Sequence, residues 1–336
     1  MTGLSSMAAT ILHVSPTITA SAPARVDLAG GTIDIWPVCH LLGRPAVTVN
    51  VALDLRAHVE IDERDDGILE VISSDLGERV RLPGDAITHE KLGLATRMAE
   101  WFGVGKGQTI RLSSDVPPHS GLGGSSALAI ALTGAMARLR GSDLEGEALR
   151  SFAQNIETAL LGKPTGYQDY YPALYGGVQR LKATPSGVER RTLAGASGFL
   201  AQHLVVIDTR IQHHSGMNNW EVVRAFLDGD AAVAERLRGI AACAERVEAA
   251  LEIRSLDAMA AAMNEEWRLR RELAPVVSNE RIEELIAAAM DAGALAAKVC
   301  GAGGGGCLAV IAEDRAIGDA LPTGIDTRGL VVGYRK

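Results

Sequence analysis

The sequence predicts an α+β fold in two domains. Its 336 residues exceed one compact core of ordinary size and suit two units of roughly 150 residues each. Strand-like and helical segments follow one another irregularly, unlike the repeating βα text of a doubly wound sheet. After Leu181, the stretch ATPSGVERRTLAGASG interrupts both patterns and places the boundary near Ser186, giving domains 1–185 and 186–336.

In the first half, ALDLRAHVEIDE and LEVISSDLG alternate in the manner of strands around Asp65-Asp66-Gly67, which reads as a hairpin turn. Residues 89–102 and 145–161 have helical spacing, the second with Leu149, Phe152, Ala153, Ile156 and Leu160 as its buried stripe. HLVVIDT reads as a strand. The second half is helix-rich, with apolar spacing over 230–252, 255–273 and 279–291 and a stop at Gly293. Two strands, CLAVIAE and GLVVGY, close the chain.

Composition narrows the function classes. Hydrophobic residues make up 47% and aromatics only 4%, so the core is expected to consist of Ala, Val, Leu and Ile. A net charge of -8 with scattered Lys and Arg offers no field for a polyanion, which argues against nucleic acid as a main partner. Cys39, Cys243, Cys300 and Cys307 show no CxxC pair, so buried free thiols are expected rather than a zinc site or disulfides. The first 24 residues hold no Lys or Arg, and no apolar run reaches the roughly 18 residues that span a bilayer, so a cytoplasmic protein without a membrane partner is expected. The oligomeric state stays open.

Chemistry concentrates in three glycine-bearing segments. In DVPPHSGLGGSSA, Gly121, Gly123 and Gly124 precede a helical pattern running from near Ser126 to Gly141. Glycines let backbone approach phosphate oxygens, and a helix start presents free N–H groups with the positive end of its dipole. No Lys follows, so this is not a Walker loop. An ordinary glycine turn capped by Ser125 is the alternative. GAGGGG at 301–306 fits GxGxxG formally, but a strand follows it rather than a helix, so the nucleotide fingerprint fails its context and a glycine hairpin or a plain flexible turn is left. In SAPARVDLAGGTID, Pro23 and the pair Gly30-Gly31 punctuate a strand and a tight turn that carry Arg25 and Asp34. Between the second and third segments, IETALLGKPTGYQDYYPALYGG supplies Glu157 and Asp169. Glu157 lies at the margin of its helix's apolar stripe, where partial exposure is expected; Asp169 taken alone also suits a helix cap.

In their order and separation, SAPARVDLAGGTID, DVPPHSGLGGSSA and KVCGAGGGGC resemble the motifs of the GHMP small-molecule kinases, named after galactokinase, homoserine, mevalonate and phosphomevalonate kinases. The resemblance implies the two-domain fold of that family, with an N-terminal mixed βα domain carrying the phosphate loop and a ferredoxin-like C-terminal domain. It implies phosphoryl transfer from ATP with Mg²⁺. Pro117, Gly121, Leu122, Gly123, Gly124, Ser125 and Ser126 would bind ATP; Ser126 and Glu157 would hold the metal; Asp169 and Arg25 would be catalytic. Asp34, Gly31, Thr32, Gly303, Gly304 and His214 would face the acceptor.

Within the family, Asn264-Glu265-Glu266-Trp267, Val277-Ser278-Asn279 and the Gly-x-Gln-Asp-x-Tyr pattern at 166–171 resemble the branch of heptose 7-phosphate kinase and fucose kinase-like proteins, which implies a sugar 1-kinase acting at an anomeric hydroxyl. Gly31-Thr32 stand where galactokinases carry Glu-His, and Ile33 replaces the Thr expected before Asp34. Trp36 suits either a sugar-stacking platform or core packing. His213, Ser215 and Asn218 form a polar cluster with His214, and Arg180 and Arg210 are candidates for a second phosphate on the acceptor. A mevalonate-type or other non-sugar alcohol kinase would share these catalytic motifs, and a non-catalytic sensor on the same fold is the remaining alternative.

Overall fold

The computed structural model describes residues 16–82, 92–105, 107–211 and 215–335, the side chains of 215–218 excepted. The chain opens on β1 (Thr17–Ala29), followed by α1 (Val38–Leu41), β2 (Val47–Glu63), β3 (Leu69–Ser73) and β4 (Glu78–Leu82). Then come α2 (Gly93–Trp101), β5 (Gln108–Ser114), α3 (Gly124–Arg140), α4 (Gly146–Leu161) and α5 (Tyr170–Tyr175). The hairpin of β6 (Val178–Thr184) and β7 (Gly187–Thr192) leads to α6 (Ala196–His203) and β8 (Leu204–Asp208). The rest is α7 (Ser215–Leu227), α8 (Ala231–Ile253), α9 (Leu256–Arg271), α10 (Glu280–Asp291), β9 (Ala294–Val299), β10 (Cys307–Ala312) and β11 (Val331–Arg335).

The larger sheet runs β11-β1-β2-β5-β3-β4, with β6 on the first part of β2 and β7 beyond it; the smaller runs β8-β10-β9. Strand β1 serves two cores. Ile18, Ala20 and Ala22 pack with α3, whereas Ala24, Val26 and Leu28 pack with the C-terminal helices and the smaller sheet. Register breaks after Pro23 and after Asp27 re-aim the strand where Arg25 and Asp27 point into the interior. The cores are largely Ala, Val, Leu and Ile, as the composition requires. All four cysteines are buried and free. Among the described residues, no helix is long and apolar enough to cross a membrane.

Several helix limits follow from local chemistry. Asp230 caps α8 by accepting from the N–H groups of Ala232 and Val233 at 2.9 and 3.0 Å. Ser255 and Asn279 cap α9 and α10 in the same way. Gly141, with φ of 60°, ends α3 in the left-handed conformation that glycine adopts freely.

Two expectations change. Asp65-Asp66-Gly67 does not close a hairpin, because β5 lies between β2 and β3 and pairs parallel with β3. The turn crosses the start of β5, where Arg64 N–H donates to Gly107 O at 2.7 Å and Gly107 N–H to Ile68 O at 3.1 Å. The stripe of α4 is rotated from the expected one: Leu160 is 42% exposed and Glu157 is 4% exposed. Ser186 sits at the β6–β7 turn, and β11 returns to β1, so both ends of the second half rejoin the first sheet. The division into 1–185 and 186–336 is a proposal about folding units.

Candidate active site

A cavity of about 610 Å³ opens where β1, the start of α3, residues 161–170 and the loop after β9 converge. The three glycine-bearing segments meet there because their backbones are joined. Arg25 N–H donates to Leu122 O at 2.8 Å, and Cys307 N–H donates to Ser120 O at 2.7 Å. At Gly121 φ is 71°, and a Cβ would stand 2.7 Å from the Cys300 carbonyl oxygen, so only glycine lets the loop before α3 lie on the last loop.

Helix α3 begins without a side-chain cap. Gly123 is its N-cap, in the left-handed conformation, and the first helical bond is Ala127 N–H to Gly123 O at 2.9 Å. The N–H groups of 124–126 therefore precede the helical ladder and face a cavity that Gly123, Gly124, Ser125 and Ser126 line. Ser125 lies inside the first turn, which removes the reading of it as a cap. Pro117 and Gly121 line the same wall, whereas the Leu122 side chain is fully buried in the core.

Asp169 occupies the cap position of α5 but makes no capping bond. Its Oδ1 is held by Arg25 instead, at 2.8 Å from Nε and 2.6 Å from Nη2. Arg25 Nη1 also donates to Gly121 O at 2.6 Å, which ties the acid–cation pair to the glycine loop before α3. Burial opposes the Arg25 charge, yet Asp169 and Asp27 outweigh it and hold its pKa above the ordinary value.

Glu157 is buried among hydroxyls. Ser126 Oγ donates to its Oε2 at 3.0 Å and Tyr170 OH at 2.6 Å. Burial raises its pKa, against the bonds from Ser125, Tyr170 and Ser126. Asp34 is buried at the other end, its Oδ2 accepting from Gln168 N–H at 2.9 Å. Gly166 packs so closely on Asp34 that a Cβ would fall 2.1 Å from Oδ2, which accounts for glycine there. Thr32 lines the cavity beside Asp34 and donates from Oγ1 to Asn219 Oδ1 at 2.9 Å.

Other expected contacts fall elsewhere. Gly31 faces away from the cavity, where a Cβ would meet Arg270 Nη2 and Asp27 Oδ2 at 2.9 Å. Gly303 and Gly304 turn onto Val277, whose carbonyl accepts from Gly304 N–H at 2.7 Å; Gly301 and Ala302 line the cavity in their place. Arg180 is paired with Glu189 and Glu248, and Arg210 with Asp319 beside a separate hollow of about 260 Å³, so neither reaches the site. Trp36 is 69% exposed, which removes core packing. His213 and His214, and the side chains of Ser215 and Asn218, lie outside the described residues. Sequence reasoning missed Lys163 and Asn219, both of which line the cavity. The position of Lys163, two residues past the end of α4 and three before Gly166, was the available signal.

The family description for the GHMP kinases N terminal domain matches residues 90–177, and that for the GHMP kinases C terminal domain matches 247–323. The chain belongs to the GHMP kinases. It is an ATP-dependent small-molecule kinase. Its sequence is 26% identical over 320 residues to a mevalonate kinase of Thermococcus onnurineus, covering 89% of this chain and 90% of that one. It is 27% identical over 306 residues to the D-glycero-alpha-D-manno-heptose 7-phosphate kinase of Campylobacter jejuni, covering 86% and 88%. The fold is similar to the crystal structure of a D-glycero-D-manno-heptose 1-phosphate kinase from Bacteroides thetaiotaomicron, with a TM-score of 0.75, 21% identity and coverage of 94% and 98%.

Asp34 gives this GHMP kinase a measurable pH signature. Burial, with Asp169 adding to it, raises its pKa to about 7. A carboxyl raised in the fold stabilises fully below its unfolded value, and that contribution is lost as pH rises toward the folded one. The ligand-free wild type is expected to lose on the order of 3 kcal/mol more than Asp34→Asn between pH 4.5 and 7.5 in urea unfolding. Parallel pH dependence of the two proteins would rule out the buried neutral carboxyl.

Proposed function

We propose that this kinase transfers the γ-phosphoryl group of ATP to the anomeric hydroxyl of a sugar or sugar phosphate, with heptose 7-phosphate and fucose as the first candidates. The observation that carries the transfer is the Asp169 carboxylate, clamped by Arg25 and facing the uncapped start of α3 across one cavity.

The free N–H groups of 124–126 hold the ATP phosphates along the α3 dipole. Asp34, with Thr32 beside it, orients the acceptor's hydroxyls. The acceptor oxygen forms its bond to the γ-phosphorus as the bond to the leaving ADP oxygen breaks, and the hydroxyl proton passes to Asp169. Arg25 holds that carboxylate in place and faces the charge that builds on the phosphoryl oxygens. Glu157 and Ser126 fit Mg²⁺: hard oxygen donors beside the phosphate cradle, the carboxylate buried against the hydroxyls of Ser126 and Tyr170. When bound there, the metal would neutralise charge on the β- and γ-phosphates.

The likeness to the Campylobacter heptose 7-phosphate kinase supports a sugar acceptor, and that to the Thermococcus mevalonate kinase keeps a branched alcohol as the second reading. ADP release is the test, with Mg²⁺ and a panel of heptose 7-phosphate, fucose, galactose, glucuronate, arabinose, mannose, mevalonate and homoserine. Turnover is expected on one sugar. Turnover on mevalonate alone would overturn the sugar reading, and tight ATP binding without turnover on any of them would return the protein to a sensor.

A further inference from the structure

Behind the acceptor wall, four charged side chains are each at most 1% exposed: Asp27 of β1, Lys298 of β9, and Glu266 and Arg270 of α9. Lys298 Nζ lies 3.1 Å from Asp27 Oδ2 and 3.1 Å from Glu266 Oε2. Arg270 closes the ring, paired with Glu266 and 3.9 Å from Asp27. Two carboxylates face two cations, so the buried ring is neutral. Such a ring adds little stability over apolar side chains of the same volume, and its presence calls for another account.

The ring reaches outward to the cavity wall. Asp27 Oδ1 accepts from Gly301 N–H at 2.9 Å. Arg270 donates from Nη2 to Gly31 O at 3.0 Å and from Nη1 to Thr32 Oγ1 at 3.3 Å. Thr32, which passes the contact on to Asn219, has φ of 76°, a conformation that a β-branched residue keeps only when its surroundings impose it. Thr32, Asn219 and Gly301 all line the cavity.

We propose that Glu266 and Arg270, anchored by Lys298 and Asp27, are positioning residues for the phosphoryl acceptor: they hold Thr32, and through it Asn219, in the geometry that orients the acceptor without touching it. This inference rests on the kinase reading above. The bonds from Arg270 run to the first-motif turn and not to residues 121–126 or Glu157, so the effect falls on the acceptor and spares ATP.

The double variant E266Q/R270M removes one charge of each sign and leaves the Asp27–Lys298 pair in place. With the acceptor found in the panel, its acceptor KM is expected to rise about tenfold or more while the ATP KM stays within about twofold. Amide exchange at residues 30–33 is expected to quicken while α3 keeps its protection. Arg270→Lys, with Glu266 intact, should recover part of the acceptor KM and serves if the double variant does not fold. An unchanged acceptor KM, an equal rise in both KM values, or wild-type exchange at 30–33 would each overturn the proposal. A wild type that phosphorylates nothing would remove the kinase reading by itself, and exchange at 30–33 would still decide whether the ring holds the wall.

Discussion

The Asp169→Asn variant is expected to turn over at least ~100-fold more slowly than the wild type while its affinity for ATP is unchanged. Asparagine has the shape of aspartate and keeps an oxygen for Arg25, whose Nε now lies 2.8 Å from Oδ1. It cannot accept the acceptor's proton. Arg25 would keep Gly121 O and the nearby Asp27 charge as partners, so the phosphate loop should stay in place. Because the lost interaction belongs to the transition state, kcat and kcat/KM are expected to fall together. Steady-state kinetics with calorimetry of a non-hydrolysable ATP analogue separates the two effects. Wild-type turnover would remove Asp169 as the base, and loss of nucleotide affinity equal to the loss of rate would make its role structural.

Glu157→Gln is expected to reduce kcat/KM for ATP roughly 100-fold and to move the Mg²⁺ requirement to higher concentration, since the charge proposed to hold the metal is gone. Stability should move the other way. Burial raises the Glu157 pKa, so the ligand-free fold disfavours the ionised side chain at neutral pH. The neutral amide should leave the protein at least as stable as the wild type at pH 7.5, with the gap closing as pH falls toward the ordinary carboxyl range. Activity and stability measured on one preparation decide the matter. An unchanged Mg²⁺ response would place the metal elsewhere, and a large loss of stability would make Glu157 a structural hydrogen-bond acceptor.

The parts of this molecule legible in the sequence are those where local chemistry agrees with tertiary context. The phosphate loop is one, because glycines with positive φ and an apolar helix that stops at Gly141 leave a mark on a few consecutive residues. The α8, α9 and α10 limits are others, set by Asp230, Ser255, Asn279 and the turns after them. What escaped depends on distant partners. Nothing near Asp65-Asp66-Gly67 announces that β5 will slip between β2 and β3, since that pairing joins residues some forty positions apart. The burial of Glu157 follows from α3 and Tyr170 supplying hydroxyls from elsewhere in the chain.

Among the glycines of the last loop, motif likeness could not say which face the cavity. The outcome turns on Val277, which takes Gly304 N–H and crowds Gly303. The buried ring did carry a signal. Arg25 and Asp27 interrupt the apolar run of ARVDLA and Lys298 that of ALAAKVC, and a charge in a strand buried along most of its length has to find its counterion inside. Glu266 and Arg270, four apart on one face of α9, are the pair that such a charge would need.

Arg25, Asp169, Ser126 and Asp34 share the cavity in which phosphoryl transfer from ATP to an anomeric sugar oxygen is proposed. Phosphorus NMR of the completed reaction on the best sugar of the panel tests it most directly. ADP and one new phosphate ester whose phosphorus couples to the anomeric proton are expected, with no ester formed by Asp169→Asn over the same interval. An ester on another hydroxyl, or inorganic phosphate as the only new species, would contradict it.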